Sequence, residues 1–598
     1  MNVPISNLTL STIKRNATDK SFSRGQSYWQ SGSVVSLTQR QQTLQAEVEG
    51  NEALSYRVTV DFDGGGITHA DCTCPYDYGG WCKHIVATLL VCVERPDEIE
   101  QRPPLSQLLA QLNLVQTQGL VQSLVDENPV LIEQVDFYVN QLAVNQLAQP
   151  AQSQATRKTR KTSVDPVPFK RSAKAILRNA VREWEYGRDD DDISDEMEAL
   201  MDDALSFAEQ GDGPNALVAL QGITEGCVEN WDEIEDFCGL TPEDVGVDFD
   251  AAWTEAILST ALTEEEVLDW QEKLELWQDT LGSFAMGLEA LRQGWDYPPL
   301  LRVLAGEISK QGAWPGEAPD WADDFSQIRL KILERQERYE EYLHLSEAEG
   351  QTKEYLTMLG QLGRTNEALA VAQEEMTTLV QAKSLAEMLR SQNQLPQALD
   401  IALRGLQLDQ KNPYETFDFA TWTSDLAEGL GEQTAALDAR VIAFQAKPSF
   451  KDYQKIEELA TDWPKCKAAL LKHLRTTRDW GTEAAKVDIF LHETLPEDAI
   501  AAVSSLRSYD APLIMRVMDT VIDSHSDWVI KNARPRAESI MDEGKAKYYA
   551  SAVEWLKRVR QAYVSLGKKA DWERYRQQLT NAHGRKRKLM GLMEQHQL

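Results

Sequence analysis

The sequence predicts an α+β module at the N-terminus, followed by a predominantly all-α region of helical repeats. Two observations lead to this fold class. Apolar and polar residues alternate in three short segments between Val34 and Phe62, which is the pattern of half-buried strands. After about residue 195, apolar positions recur at helical spacing, and Ala-Leu pairs return at intervals typical of stacked helical hairpins.

Length and composition limit the class of protein. A chain of 598 residues is too long for a single core, so several units or an extended array are expected. The sequence has no apolar run of about eighteen residues, so no membrane span is expected. The N-terminus lacks the basic and apolar regions of a secretory signal. We therefore expect a cytoplasmic protein, in a compartment that keeps its few cysteines reduced.

The net charge disfavours general binding to nucleic acid. The chain has 61 basic and 95 acidic residues, which gives a charge of −34. Phosphate binding needs concentrated Lys and Arg, so any contact with DNA would depend on local basic clusters.

The first thirty residues read as a helical segment in which basic and aromatic side chains are interleaved. This arrangement suits a groove that binds nucleic acid, but it is also found on solvated helix faces that pack their aromatics inward. Both interpretations stay open. The candidate nucleic-acid-binding residues are Lys14, Arg15, Lys20 and Arg24.

Three strands are predicted next, at residues 34–37, 44–48 and 56–62, with three glycines at 64–66 after the third. An apolar helix is predicted over residues 85–93. The segment between the last strand and this helix therefore connects a small antiparallel sheet to a helix that can cover it.

That segment carries a compact set of metal-binding side chains, Cys72, Cys74, Cys82 and His84, in a C-x-C-x7-C-x-H pattern. Three cysteines and one histidine complete the tetrahedron of a structural zinc ion and leave no open position for substrate. The alternatives are buried structural cysteines beside an incidental histidine, or a disulfide. Because the whole chain has seven cysteines and eight histidines, their concentration here favours zinc.

The same segment resembles a SWIM-type zinc finger of the bacterial kind. The resemblance rests on the C-x-C-x7-C-x-H run, on Phe22-Ser-Arg-Gly25-Gln-Ser-Tyr28 before it and on Ile-Val-Ala-Thr-Leu-Leu after it. It covers about the first 95 residues. It implies zinc binding by Cys72, Cys74, Cys82 and His84, and an association with DNA binding and protein interaction. Beyond this module, only a looser likeness to the helical tails of such bacterial proteins is visible.

These observations predict four parts. Residues 1–95 form the zinc-finger module, residues 96–144 a helical extension, residues 145–168 a flexible linker, and residues 169–598 the helical-repeat region. A basic stretch from Arg157 to Arg182 spans the end of the linker. It could bind nucleic acid, or it could pair with the acidic tract Asp189–Asp192 that follows.

The repeats are marked by alanines at the start of a second helix. Successive alanines lie 30, 38, 33 and 30 residues apart, which brackets the tetratricopeptide period of about 34 residues. We therefore expect a TPR-like solenoid with an extended surface for a protein partner. The alanines are Ala368, Ala398, Ala436, Ala469 and Ala499.

The sequence contains no phosphate-binding glycine loop, zinc-protease motif or serine-nucleophile elbow. We therefore expect no enzyme and no small-molecule substrate, although an enzyme with unmarked residues stays a third alternative. The favoured function is a zinc-binding interaction protein whose finger contacts proteins, with DNA as an open second ligand, and whose solenoid binds a protein partner. The alternative is a DNA-binding or DNA-associated regulatory factor that acts through the finger and its basic clusters, including Arg585–Lys588.

Overall fold

The computed structural model describes most of the chain as two compact units. One unit combines Met1–Pro104 with Asn393–Leu598, and the other is Leu105–Gln392. The described residues are 5, 8–50, 55–128, 131, 164–185, 192–239, 247–309, 311–408, 412–478, 481–504, 506 and 510–598. Residues 145–163 of the predicted linker lie outside these ranges.

A five-stranded sheet forms the centre of the N-terminal module, by which we mean the described residues up to 104. The strands lie in the order β4-β3-β2-β1-β5, with β1 to β4 antiparallel and the short β5 parallel to β1. The strands are β1 Val34–Arg40, β2 Thr43–Val48, β3 Tyr56–Asp63, β4 Gly66–Cys72 and β5 Glu100–Gln101.

Three helices pack with this sheet: α1 Leu10–Arg15, α2 Asp19–Gln30 and α3 Lys83–Glu94. Helix α3 buries Val86 and Leu89 against strand residues such as Val58 and Val60. Gly25 lets α2 approach α3 closely, because a Cβ at this position would lie 2.4 Å from Val86 Cγ1. A helical glycine costs about 1 kcal/mol relative to alanine, and here the close packing explains its presence.

The three predicted strands and the predicted helix are confirmed, with slightly longer bounds. The sequence did not indicate strand β4, which pairs Val60 with Ala70 and Val58 with Cys72. This strand lies at the sheet edge and carries exposed polar residues such as His69, so it lacks the apolar alternation that marked the others.

The secondary structure of the second unit, in its described part, consists of helices joined by loops. Its first two helices expose large apolar side chains, among them Leu114 and Val115. Helix α6 begins at Pro166, so the last residues of the predicted linker are helical. The helices are α4 Leu105–Leu109, α5 Leu114–Glu127, α6 Pro166–Glu185, α7 Asp192–Glu209, α8 Gly213–Val228, α9 Trp231–Cys238, α10 Phe249–Leu258, α11 Glu264–Leu281, α12 Ala285–Gln293, α13 Pro298–Leu304, α14 Ala322–Arg335, α15 Tyr339–Ala348, α16 Thr352–Gln361, α17 Thr365–Glu375 and α18 Leu379–Ser391.

The C-terminal part of the first unit is also helical and has one continuous apolar core, from Phe444 to Leu598. Its helices are α19 Leu395–Gly405, α20 Pro413–Gly429, α21 Gln433–Ala446, α22 Phe450–Leu459, α23 Trp463–Thr476, α24 Glu483–His492, α25 Pro496–Val503, α26 Ala511–Val521, α27 Ser526–Glu543, α28 Tyr549–Ser565, α29 Lys569–His583 and α30 Arg587–Gln595. The predicted change from a small sheet to a mostly helical chain is confirmed. In the described part of the chain, no helix is both long and apolar enough to cross a membrane.

Within the first unit, the N-terminal module packs on helices α20 and α22. Arg15 Nη2 lies 2.9 Å from Asp425 Oδ1, and Lys451 Nζ donates a hydrogen bond of 3.0 Å to the Ala17 carbonyl oxygen. On the sheet side, a Cβ on Gly429 would lie 2.1 Å from the Gly65 carbonyl oxygen, so two backbones touch here. The module therefore contacts the C-terminal helices through helix α1 and through the turn between β3 and β4.

A buried arginine organises the helical side of this contact. Arg440 on α21 is fully buried and ion-pairs with Asp425, and it also pairs with Asp452, with Nη1 3.1 Å from Oδ1. Its Nε donates to Ser424 Oγ at 3.2 Å. Asp425 thus joins Arg440 to Arg15 of the module, and one carboxylate holds both sides of the contact.

Candidate metal centre

The end of the sheet and the start of helix α3 position the predicted metal ligands. Cys72 is the last residue of β4, and Thr73 extends the pairing because its Oγ1 accepts a hydrogen bond from the Arg57 amide at 3.0 Å. Cys82 is the N-cap residue of α3, and His84 lies in the first turn. The sheet therefore fixes one pair of ligands and the helix fixes the other.

The loop between the two pairs is held by the two residues that follow helix α1. The Trp81 amide donates to the Asn16 carbonyl oxygen at 2.6 Å, and Trp81 forms a parallel bridge with Ala17. Gly79 and Gly80 have positive φ angles of 77° and 69°, which side-chain-bearing residues rarely adopt. A Cβ on Gly80 would also lie 2.8 Å from Asn16 O, so this tight turn requires glycine.

The four predicted ligands come together. One ligand atom from each of Cys72, Cys74, Cys82 and His84 lies within 4.8 Å of all the others. His84 directs Nδ1 into the cluster, at 3.6 Å from Cys72 Sγ and 3.9 Å from Cys82 Sγ. A tetrahedral zinc ion with Zn–S bonds of about 2.3 Å needs ligand atoms about 3.8 Å apart. The spacing of the cluster fits this ion.

Aromatic rings fix the orientation of His84. The imidazole stacks on Tyr56 with ring centroids 4.4 Å apart, and Tyr28 meets it edge-on at 5.4 Å. His84 Nε2 is buried and has no hydrogen-bond partner among the described residues. The ring is thus held by packing, with Nδ1 as the nitrogen that faces the sulfur atoms.

The electrostatics of the thiols suit a bound cation. A hydrogen bond from Cys72, with further help from His84 and the Ile85 amide, lowers the pKa of Cys82 to about 4. The pKa of Cys72 rises, mainly through its hydrogen bond to Cys82, and burial raises the pKa of Cys74. The three thiols lie close together, so they do not all lose their protons easily. A cation of charge +2 can replace the protons that remain.

Cys72, Cys74, Cys82 and His84 can therefore bind a zinc ion. With all four positions filled by protein atoms, zinc would join strand β4 to helix α3 and leave no site for a substrate. His69 on β4 is exposed and is not part of the cluster.

The structure separates the four predicted nucleic-acid-binding residues. Arg15 is largely buried and ion-pairs with Asp425, whereas Lys14 is exposed on helix α1. Lys20 and Arg24, one turn apart on α2, both line a cavity beside the metal centre, and Lys83 joins them there. Whether any of these residues binds nucleic acid stays a prediction.

Several residues that shape the site were missed in the sequence analysis. Asn16 and Ala17 hold the metal loop, and Tyr56 packs on His84. No local pattern marks them, because Asn16 acts through its backbone carbonyl group. The alternating pattern of β3 indicated that Tyr56 lies in a strand, but it did not indicate the neighbour of its ring.

Comparison with known proteins agrees with this geometry. Residues 56–93 match the family model of the SWIM zinc finger, a range that includes all four cluster residues. The chain is also similar to the zinc finger SWIM domain-containing protein 8 homolog of Drosophila melanogaster, with 33% identity over 115 residues. The matched segment covers 19% of this chain and 5% of that relative. The similarity therefore concerns a limited part of this chain and a small part of that relative.

Proposed function

We propose that this chain is a non-enzymatic adaptor, in which a zinc-stabilised finger and a helical scaffold each contact other macromolecules. The observation that carries the proposal is the complete four-residue metal site, which offers zinc no open coordination position. The SWIM match over residues 56–93 supports an interaction role for the finger. A reducing compartment, such as the cytoplasm, suits its thiolate ligands.

The helical scaffold is proposed as the main surface for a protein partner. The regular return of alanines from Ala368 to Ala499 supports a TPR-like array, and such arrays bind partners along an extended face. The finger contributes a second contact surface at the N-terminal end of the chain.

Affinity purification of tagged full chain from its native cells, with quantitative mass spectrometry, tests this proposal. Cys74→Ser removes one metal ligand, and Cys466→Ser, outside the cluster, serves as the matched control. We expect a stoichiometric protein partner on the wild-type and control chains. A partner kept by Cys74→Ser is assigned to the helical scaffold, and a partner lost is assigned to the finger. Absence of any stoichiometric partner contradicts the proposal.

Association with DNA is the second candidate function. The observation that favours it is that Lys20 and Arg24 are exposed and form no ion pair with any described residue, although the chain carries 95 acidic groups. Binding of the full chain to duplex and single-stranded DNA over a series of salt concentrations tests this function. Affinity that falls steeply with salt supports it, and absence of binding at low salt contradicts it.

A further inference from the structure

A cavity of about 440 Å³ opens beside the metal centre, between helix α2, the metal loop and the start of α3. It lies wholly within the N-terminal module, and Cys74, Cys82 and His84 form part of its wall. The cavity is large enough for one small organic group, such as the base and phosphate of a nucleotide.

The charge of the lining is opposite to that of the whole chain. Lys20, Arg24 and Lys83 line the cavity, and the described lining residues include no Asp or Glu. Zinc bound by three thiolates and a neutral imidazole would carry a net charge of −1, so three cations still leave the site positive. A positive site on a chain of charge −34 concentrates anions locally.

The two cations of helix α2 are available to a ligand. Lys20 and Arg24 are separated by one helical turn and share one face of the helix. Neither forms an ion pair among the described residues. Lys83 donates a hydrogen bond of 2.8 Å to Tyr28 Oη and lies over the Tyr28 ring, which keeps its charge at the wall of the cavity.

Part of the cavity wall offers an aromatic surface. Tyr78 is 83% exposed and meets Tyr76 edge-on, with centroids 5.6 Å apart. Tyr76 is fixed, because Ser21 donates to its hydroxyl at 3.1 Å and that hydroxyl donates to Gly79 O at 3.3 Å. Tyr78 therefore presents an open ring beside a fixed one, and such a ring can stack on a planar ligand.

We propose that this cavity binds a nucleotide, with its phosphate at Lys20 and Arg24 and its base stacked on Tyr78. The cations select a phosphate, and the exposed ring selects a flat aromatic group, which the side chains of Asp and Glu lack. Single-stranded nucleic acid and a free nucleotide share this chemistry. The inference rests on the second candidate function above, and it adds the site, the residues and the preference for an unpaired base.

Fluorescence anisotropy of the zinc-loaded full chain with a labelled oligothymidine of eight nucleotides tests the proposal. We expect the Lys20→Ala/Arg24→Ala chain to bind about tenfold more weakly, with a smaller salt slope, because each lost phosphate contact removes about 0.7 from it. Tyr78→Ala also weakens binding about tenfold, whereas Tyr78→Phe retains it. Zinc content is measured for every variant, so that loss of the fold is distinguished from loss of the contact.

The matched control is Arg57→Ala/Arg102→Ala, which removes two exposed cations of the same module that do not line the cavity. Equal weakening by this control overturns the proposal, as does equal competition by polyglutamate. Displacement of the probe by thymidine monophosphate assigns the site to a free nucleotide, and failure to displace assigns it to a strand. If the full chain binds DNA but the cavity variants bind normally, the inference fails while the second candidate function stands. If the chain binds no nucleic acid, both fail.

Discussion

Cys74 follows strand β4, and its thiol completes the cluster with Cys72, Cys82 and His84. Removing one of four ligands leaves a site that zinc binds far more weakly, and zinc binding contributes folding free energy to modules of this size. Substitution of a single ligand residue is therefore the most direct test of metal binding.

We expect the purified chain to contain about one zinc ion, and Cys74→Ser to contain much less. Chelation should unfold the N-terminal module while most of the helix signal in circular dichroism remains. The measurement is metal analysis by mass spectrometry, with Cys466→Ser as a control that keeps its zinc. Full zinc content in Cys74→Ser would exclude these four residues as the ligand set.

Arg440 and Arg15 both ion-pair with Asp425, but their removal should lower the free energy of unfolding by different amounts. Arg440 is fully buried with two carboxylate partners, so Arg440→Ala should lower the free energy of unfolding by about 3–5 kcal/mol. The Arg15 side chain is 11% exposed but its partner Asp425 is 38% exposed, so solvent screens the pair and Arg15→Ala should cost about 1 kcal/mol. Urea denaturation measures both. Lys14→Ala is the control, and an effect of Lys14→Ala equal to that of Arg15→Ala would contradict the importance of the ion pair.

At the scale of secondary-structure elements, the contact between helix α20 and the β3–β4 turn depends on two glycines. A methyl group at Gly429 would meet the Gly65 carbonyl oxygen at 2.1 Å, and a backbone atom cannot move aside easily. This contact brings the edge of the sheet directly against the end of a helix.

Gly429→Ala should therefore lower the stability of the chain by about 1–3 kcal/mol, although alanine favours helix. The comparison is Gly591→Ala in helix α30, where an added Cβ has no neighbour within 4 Å. That variant should be neutral or more stable by up to about 1 kcal/mol. Thermal unfolding followed by circular dichroism measures both, and equal effects of the two substitutions would refute the close contact.

The features that could be predicted from the sequence are those that depend on residues close together in the chain. The four metal ligands lie within thirteen residues, and strands β1 to β3 alternate along their own length, so short-range patterns were sufficient. The contact of Arg15 with Asp425 joins positions 410 residues apart, and neither residue carries a local signal for the other. The separation of Arg15 from Lys20 and Arg24 followed only from the packing of helix α1 on the C-terminal helices.

At the scale of the whole molecule, the N-terminal module shares a compact unit with residues 393–598. The sequence predicted the finger, residues 1–95, and the helical-repeat region, residues 169–598, as separate parts. Ser11 donates to Glu458 at 3.0 Å, and Arg15 and Ala17 make further contacts with helices α20 and α22. The C-terminal helices have a core of their own, and contacts with the module add to their stability.

We expect a chain that lacks the first 104 residues to retain its helical circular dichroism but to show a lower unfolding midpoint for the C-terminal helices. The large apolar core from Phe444 to Leu598 maintains the helices, and the lost contacts lower the midpoint. Differential scanning calorimetry measures the midpoints. Cys74→Ser in the full chain is the comparison, because it disturbs the module without shortening the chain. An unchanged midpoint would show that the module adds no stability to these helices.

The hydrogen bond from the Trp81 amide to Asn16 O has a consequence for metal affinity. Asn16 is bonded to Ala17, whose carbonyl oxygen accepts from Lys451 of helix α22. If zinc orders the metal loop, we expect it also to stabilise the backbone at Asn16 and Ala17, which helix α22 contacts. Binding effects between two sites are reciprocal. If zinc strengthens the association of the module with this helix by some factor, the helix strengthens zinc binding by the same factor. We therefore expect the C-terminal helices to influence how tightly the metal site retains zinc.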